Sequence, residues 1–153
     1  MGHPVVIELS SDTDEDEDKN NKDKLPNLTP EMDEVIRKAL TSRGEILMDA
    51  YKIQIRVNDI STLDGHKWLN DEIINFYLQM IVARSVKFGY RTVHAFTTFF
   101  YERLKNFGPS SMQRWTKKVD LFRYSLVLVP VHWGTHWCLA AIDMDSKSIV
   151  YYD

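Results

Sequence analysis

"SLVLVPVHWGTHWCLAAIDMDSKSIVYYD", residues 125–153, decides the fold. Three short apolar runs, SLVLVPV, WCLAAI and SIVYYD, are rich in Val, Ile, Leu and Tyr and predict three strands. DMDSK, between the second and third, has the Asp and Ser content of a turn, because both side chains can hydrogen-bond nearby backbone. The runs therefore read as a β meander. With the loop taken as Asp143 to Ser146, Ile142 faces Lys147, and on that register His136 faces Asp153. Opposed residues on one face have Cβ atoms about 4.5–5.5 Å apart, close enough for a carboxylate to accept a hydrogen bond from an imidazole N–H. Such a pair is the orienting half of a catalytic triad, in which the Asp fixes the tautomer of a His that serves a nucleophile. A surface His beside a strand-end Asp has the same spacing.

Upstream the period changes. LTPEMDEVIRKAL opens a helix, with Thr29 as N-cap, Pro30 in the first turn, and Met32, Val35, Ile36, Ala39 and Leu40 on one face; it is expected to stop near Arg43-Gly44. YKIQIRV, residues 51–57, alternates as a half-buried strand. LNDEIINFYLQMIV returns to helical spacing, with Asn70 as cap, Asp71 and Glu72 at the positive helix end, and a stripe from Ile73 to Val82. A further helix is expected over residues 93–105, carrying Phe96, Phe99, Phe100 and Leu104 and closed by Gly108-Pro109. Helices followed by a meander predict an α+β domain.

Charge divides the chain. Residues 1–28 hold eight Asp and Glu against three Lys, a net −5, so that the total of −3 leaves +2 for the remainder. An acidic head of this kind buries too little apolar surface to offset chain entropy, and residues 1–28 are expected to be disordered on their own, with the folded domain at 29–153. No run approaches 18 apolar residues and no basic leader precedes one, which predicts a soluble intracellular chain with no membrane partner. A single cysteine, Cys138, excludes a disulfide framework and a cysteine-based zinc site, and no metal or organic cofactor is expected. Arg114, Lys117 and Lys118 surround Trp115, too thin a basic footprint for a nucleic-acid partner.

WLNDEIINFY, HAFTTFF, RWTKKVD, LVPVHWGTHWCLA and IVYYD, in this order and spacing, resemble the catalytic domain of the sentrin-specific (ubiquitin-like-specific) cysteine proteases, which process SUMO and remove it from conjugates. The resemblance implies a partial papain-like fold, with helices on a mainly antiparallel sheet and residues 29–153 as the N-terminal part of the catalytic domain. It also implies cleavage after Gly-Gly by a Cys-His-Asp mechanism, SUMO and SUMO-conjugated proteins as partners, and residence in the nucleus, with the cytoplasm as a second compartment left open. By resemblance His136 is the general base and Asp153 its orienting acid, while His132 is not the base. The family's nucleophile follows the YYD strand, so the 153-residue chain is expected to lack it and to be inactive alone, or to act as a non-catalytic SUMO-binding protein. Cys138, two residues from His136 on one strand face, reads as a buried inert thiol.

Trp68 and Trp137 match two family tryptophans that close over the Gly-Gly tail, a dipeptide that flat indole walls can select because it has no Cβ; as unaided sequence they read first as core tryptophans. Asp71, Phe99 and Arg114 match positions that face the modifier, and Thr97 stands where the family commonly has Asn. Val5, Val6, Ile7 and Leu9, followed by the acidic run, resemble a SUMO-interacting motif, which adds as a strand to the modifier's sheet edge.

Overall fold

The computed structural model of the chain describes residues 7–9, 27–42 and 45–153. Its centre is a five-stranded mixed sheet in the order β1-β7-β6-β5-β4. The predicted meander forms β5 (Leu126–Trp133), β6 (His136–Asp143) and β7 (Ser148–Tyr152), all antiparallel. β4 (Val93–Ala95) pairs parallel with β5, and β1 (Ile7–Leu9) pairs parallel with β7. No described helix is long and apolar enough to cross a membrane.

The continuous apolar character of β5 follows from its position, since it is covered on both faces. Leu128 points to one side, where it packs with Ala95, Ala141 and Leu78 of α3 (Asp71–Phe88). Val127 and Val129 point to the other, against Phe96, Met112 and Phe100 of α4 (Phe99–Phe107). Asn70 caps α3 as expected, its side chain accepting from the Ile73 N–H, and Gly89 ends the helix in the left-handed conformation.

Three sequence expectations are corrected. Residues 93–95 are strand, and the helix begins only at Phe99. The aromatic spacing signalled a real cluster, with Phe96 and Phe100 stacked at 3.7 Å, but Val93 and Ala95 are the buried pair of an alternating strand. YKIQIRV is not one strand. Tyr51 and Lys52 form a turn at φ 57° and 63°, joining β2 (Ile46–Ala50) to β3 (Ile53–Arg56), and Val57 begins the short helix α2 (Val57–Ile60). The predicted first helix exists as α1 (Pro30–Thr41), capped by Thr29, but buries none of its residues: Met32, Val35 and Ile36 remain exposed where it packs on α2.

The third correction is the β6–β7 register. Leu139 lies opposite Tyr152 and Asp143 opposite Ser148, so the loop is Met144–Lys147 and the same register puts Cys138, not His136, across from Asp153. Asp143 is the last strand residue, and its carboxylate accepts the N–H groups of Asp145 and Ser146 to turn the loop. The difference is two residues, so side-chain parity is kept and His136 stays on the face of Asp153.

The lone apolar run of the head also has a partner strand within the chain, Ile7 pairing with Ile149 and Leu9 with Tyr151. Val5, Val6 and the stretch 10–26 lie outside the described residues.

Candidate active site

A two-residue turn, Gly134-Thr135, joins β5 to β6, with Gly134 at φ 73° and Trp133 paired to His136. His136 thus begins β6 at the sheet's end, and its ring reaches diagonally across to Asp153, with Nε2 2.8 Å from Oδ1. With Nε2 committed to the carboxylate, Nδ1 is the nitrogen that can take a proton from a nucleophile, and the carboxylate stabilises the imidazolium so formed. The same Oδ1 accepts from the Cys138 thiol at 3.5 Å.

Cys138 is poorly placed to attack. Burial pushes its thiol up from the ordinary value, and the Asp153 carboxylate pushes in the same direction, against the opposing effect of the Tyr151 hydroxyl. Tyr151, hydrogen-bonded with that thiol, is itself pushed up to about 12. A thiolate facing a carboxylate is the reverse of an activated cysteine, which sits beside a cation or a helix N-terminus.

The two predicted tryptophans contact different histidines. Trp68 stands edge-on to His136 with ring centroids 6.1 Å apart, and it is exposed. Trp137 packs on His132 and donates its Nε1–H to the Leu69 carbonyl at 2.9 Å, which ties the loop before α3 to β6. Asn70 anchors the same loop by donating to Asp59 Oδ1 at 2.7 Å. Trp68, Asp71, His132, Thr135 and Trp137 line a cleft of about 350 Å³ that neither His136 nor Asp153 lines. Asp71 and exposed Phe99 also line a neighbouring polar cleft with Gln54, Arg56 and Asn75. Arg114 lies exposed on α5 (Gln113–Thr116) and lines neither cleft.

Sequence reading missed the residues that hold this frame. Asn75 clamps the start of α4, its Oδ1 accepting from the Thr98 N–H at 2.9 Å and its Nδ2 donating to Thr98 Oγ1 at 3.1 Å. Nothing in the helical stripe marked Asn75, because its partner is 23 residues away. Donor atoms of His136, Cys138 and Asp153 all lie within 4.8 Å of one another.

The sequence profile of the Ulp1 protease family, C-terminal catalytic domain, matches residues 67–153. A sentrin-specific protease of Caenorhabditis elegans is 53% identical over 111 residues, which is 72% of this chain and 16% of that protein. Human sentrin-specific protease 2 is 45% identical over 133 residues, 86% of this chain and 23% of that protein. The chain therefore spans about a quarter or less of these relatives' lengths. Among solved structures, the C-terminal Ulp1 protease domain in complex with Smt3, the yeast ortholog of SUMO, superposes with a TM-score of 0.71 at 33% identity, covering 82% of this chain and 57% of that one. Ulp1 with its catalytic cysteine oxidised to a sulfinic acid superposes with a TM-score of 0.69 at 33% identity, covering 82% and 56%. With its α+β architecture and a His–Asp pair at the sheet's end, the chain belongs to the Ulp1 family of cysteine-type SUMO proteases.

Proposed function

We propose that this chain supplies the general-base half and the substrate cleft of a SUMO-specific cysteine peptidase that cleaves after Gly-Gly, with a nucleophilic Cys other than Cys138. The 2.8 Å contact of His136 Nε2 with Asp153 carries the reading, because it leaves Nδ1 free toward a thiol while Trp68 and Trp137 flank the approach. In this mechanism His136 takes the thiol proton, the thiolate attacks the glycyl carbonyl, and His136 returns the proton to the leaving amine. Residues 29–153 act as part of the catalytic domain and residues 1–28 as an acidic head whose Val5, Val6, Ile7 and Leu9 add to the modifier's sheet edge. The extended backbone of Ile7–Leu9, already paired to a sheet edge through β7, supports that role. Asp71, Phe99 and Arg114 contact the modifier. Trp115 packs edge-on against Phe100 at 5.8 Å, which favours this over base stacking in a nucleic-acid complex. Nuclear residence belongs to the same reading.

Cys138 is the only thiol in residues 1–153 and is buried, so this reading expects no turnover from the chain alone. That observation also favours a second reading, a SUMO-binding protein without catalysis. The test is release of a fluorophore from a SUMO C-terminal conjugate, with a parallel binding titration. Expected are no turnover above buffer and saturable binding that Trp68→Ala weakens about tenfold or more, roughly the loss of one aromatic contact of 1.4 kcal/mol. Turnover that disappears on Cys138→Ser would make Cys138 the nucleophile, and absence of binding would sink both readings. Sequencing the transcript past the codon for Asp153 separates peptidase from binding protein.

A further inference from the structure

We propose that His136, Cys138 and Asp153 form a zinc site that switches off the general base. Neighbouring strands bring the three together: His136 and Cys138 alternate on one face of β6, and Asp153 follows β7 opposite Cys138. Imidazole nitrogen, thiolate and carboxylate are the donor set that a borderline-soft, tetrahedral Zn²⁺ takes from proteins.

The distances fit with small movements. Ligand bonds of about 2.3 Å to sulfur and 2.0–2.2 Å to nitrogen and oxygen, at tetrahedral angles, put the ligand atoms roughly 3.3–3.6 Å from one another. Cys138 Sγ and Asp153 Oδ1 are already at 3.5 Å. His136 Nε2 and Asp153 Oδ1, at 2.8 Å, must open by about half an ångström to that tetrahedral spacing. The histidine–sulfur separation is at most 4.8 Å and must close by roughly 1.3 Å or less. His136 and Asp153 side chains are 48% and 74% exposed, so rotamer adjustment provides these shifts and water completes the tetrahedron. Cys138 is the fixed member, being buried in its strand.

Charge and protons balance. The thiol releases one proton, neutral His136 moves its N–H from Nε2 to Nδ1, and thiolate plus carboxylate neutralise the dication. The negative neighbour that disfavours a bare thiolate becomes a co-ligand once the metal is present. Nδ1, the nitrogen left for the nucleophile's proton, then carries a hydrogen. The inhibitory consequence rests on the general-base reading above, whereas metal binding does not.

The experiment is titration of the intact 153-residue chain with Co²⁺ under reducing, chelator-free conditions, followed by displacement with Zn²⁺. Expected are one tetrahedral ion per chain, seen as intense visible d–d absorption, and a thiolate-to-cobalt charge-transfer band that Zn²⁺ abolishes. Cys138→Ser removes that band, and His136→Gln, which takes away a direct ligand, weakens binding by about a hundredfold or more, since loss of a residue that merely orients a ligand already costs about 10–100-fold. Near-ultraviolet circular dichroism identifies any variant that fails to fold. Because Cys138→Ser alters a buried group, His136→Gln and Asp153→Asn at exposed positions provide the independent test. Octahedral cobalt without the charge-transfer band, or affinity unchanged in both exposed variants, overturns the proposal. Tetrahedral binding in a chain that does not bind SUMO leaves the zinc site standing and removes both SUMO-directed readings.

Discussion

Asp143 and Asp153 show at the residue scale what a sequence reveals and what it hides. Strand parity was legible, because alternate side chains share a face, and it brought His136 and Asp153 together even with the wrong register. The register itself was hidden because Asp143 has the composition of a turn residue yet ends β6, turning the loop through its side chain. Arg91 completes the arrangement, donating to both oxygens of Asp143 at 2.7 and 2.9 Å and to Asp145 at 2.9 Å. The Arg91 guanidinium, with the Ser146 N–H, holds the Asp143 carboxyl well below the usual carboxylate range. A depressed folded-state value means that stability from this pair is fully present above the unfolded Asp value of about 3.9 and is lost as pH falls from there through the folded value. Arg91→Ala is therefore expected to lower the melting temperature at pH 7, and the gap to the parent should narrow below about pH 4. Melts at half-unit steps from pH 7 to 3 check this; a constant gap would mean that Arg91 acts through packing alone.

The β2–β3 hairpin raises the same issue for an element. Alternation of Ile53, Gln54, Ile55 and Arg56 was legible and is observed, with Ile55 buried. The turn was not, because hairpins with two residues at positive φ usually advertise Asn-Gly or Asp-Gly, and here Tyr51 and Lys52 occupy those positions. Tyr51 has a compensating contact, its ring edge-on to Phe76 at 5.4 Å. For Lys52 no ring contact offsets the strain of about 1–2 kcal/mol that a Cβ incurs in the left-handed region. Glycine removes that strain but gains about 0.5–1 kcal/mol of unfolded-chain freedom, so Lys52→Gly should stabilise the protein by a net ~0.5–1 kcal/mol. Lys52→Val, with a branched Cβ, should destabilise it. Urea midpoints of the three proteins test the order; a Gly variant less stable than the parent would show that the Lys52 side chain contributes more than its backbone loses.

For the whole molecule, the α+β class was legible from the change of period, whereas both parallel pairings were not, since β4–β5 and β1–β7 join segments far apart in sequence and no hairpin pattern links them. The head's apolar run has the pattern of a strand that adds to a sheet edge, and β7 pairs with Ile7–Leu9 of the same chain. The sheet's faces are less well served than its edge. On the α3 side an apolar cavity of about 760 Å³ opens among Met48, Ile55, Ile73, Leu139, Trp137 and Tyr152. On the α4 side another of about 420 Å³ opens among Leu104, Val131, Ile142 and Ile149. Close-packed interiors have few voids larger than one water, whose share of liquid volume is about 30 Å³, so these spaces leave apolar side chains in contact with solvent. Each 100 Å² so exposed forgoes about 2.5 kcal/mol of burial, enough to matter against the usual net stability of about 5–15 kcal/mol. The 153-residue chain should therefore enhance the fluorescence of a hydrophobic dye in plain buffer while keeping near-ultraviolet circular dichroism, and it should melt broadly. Filling the larger cavity with Ile73→Phe should cut dye binding and raise the midpoint. A sharp cooperative melt with no dye response would show that both faces close on themselves in solution.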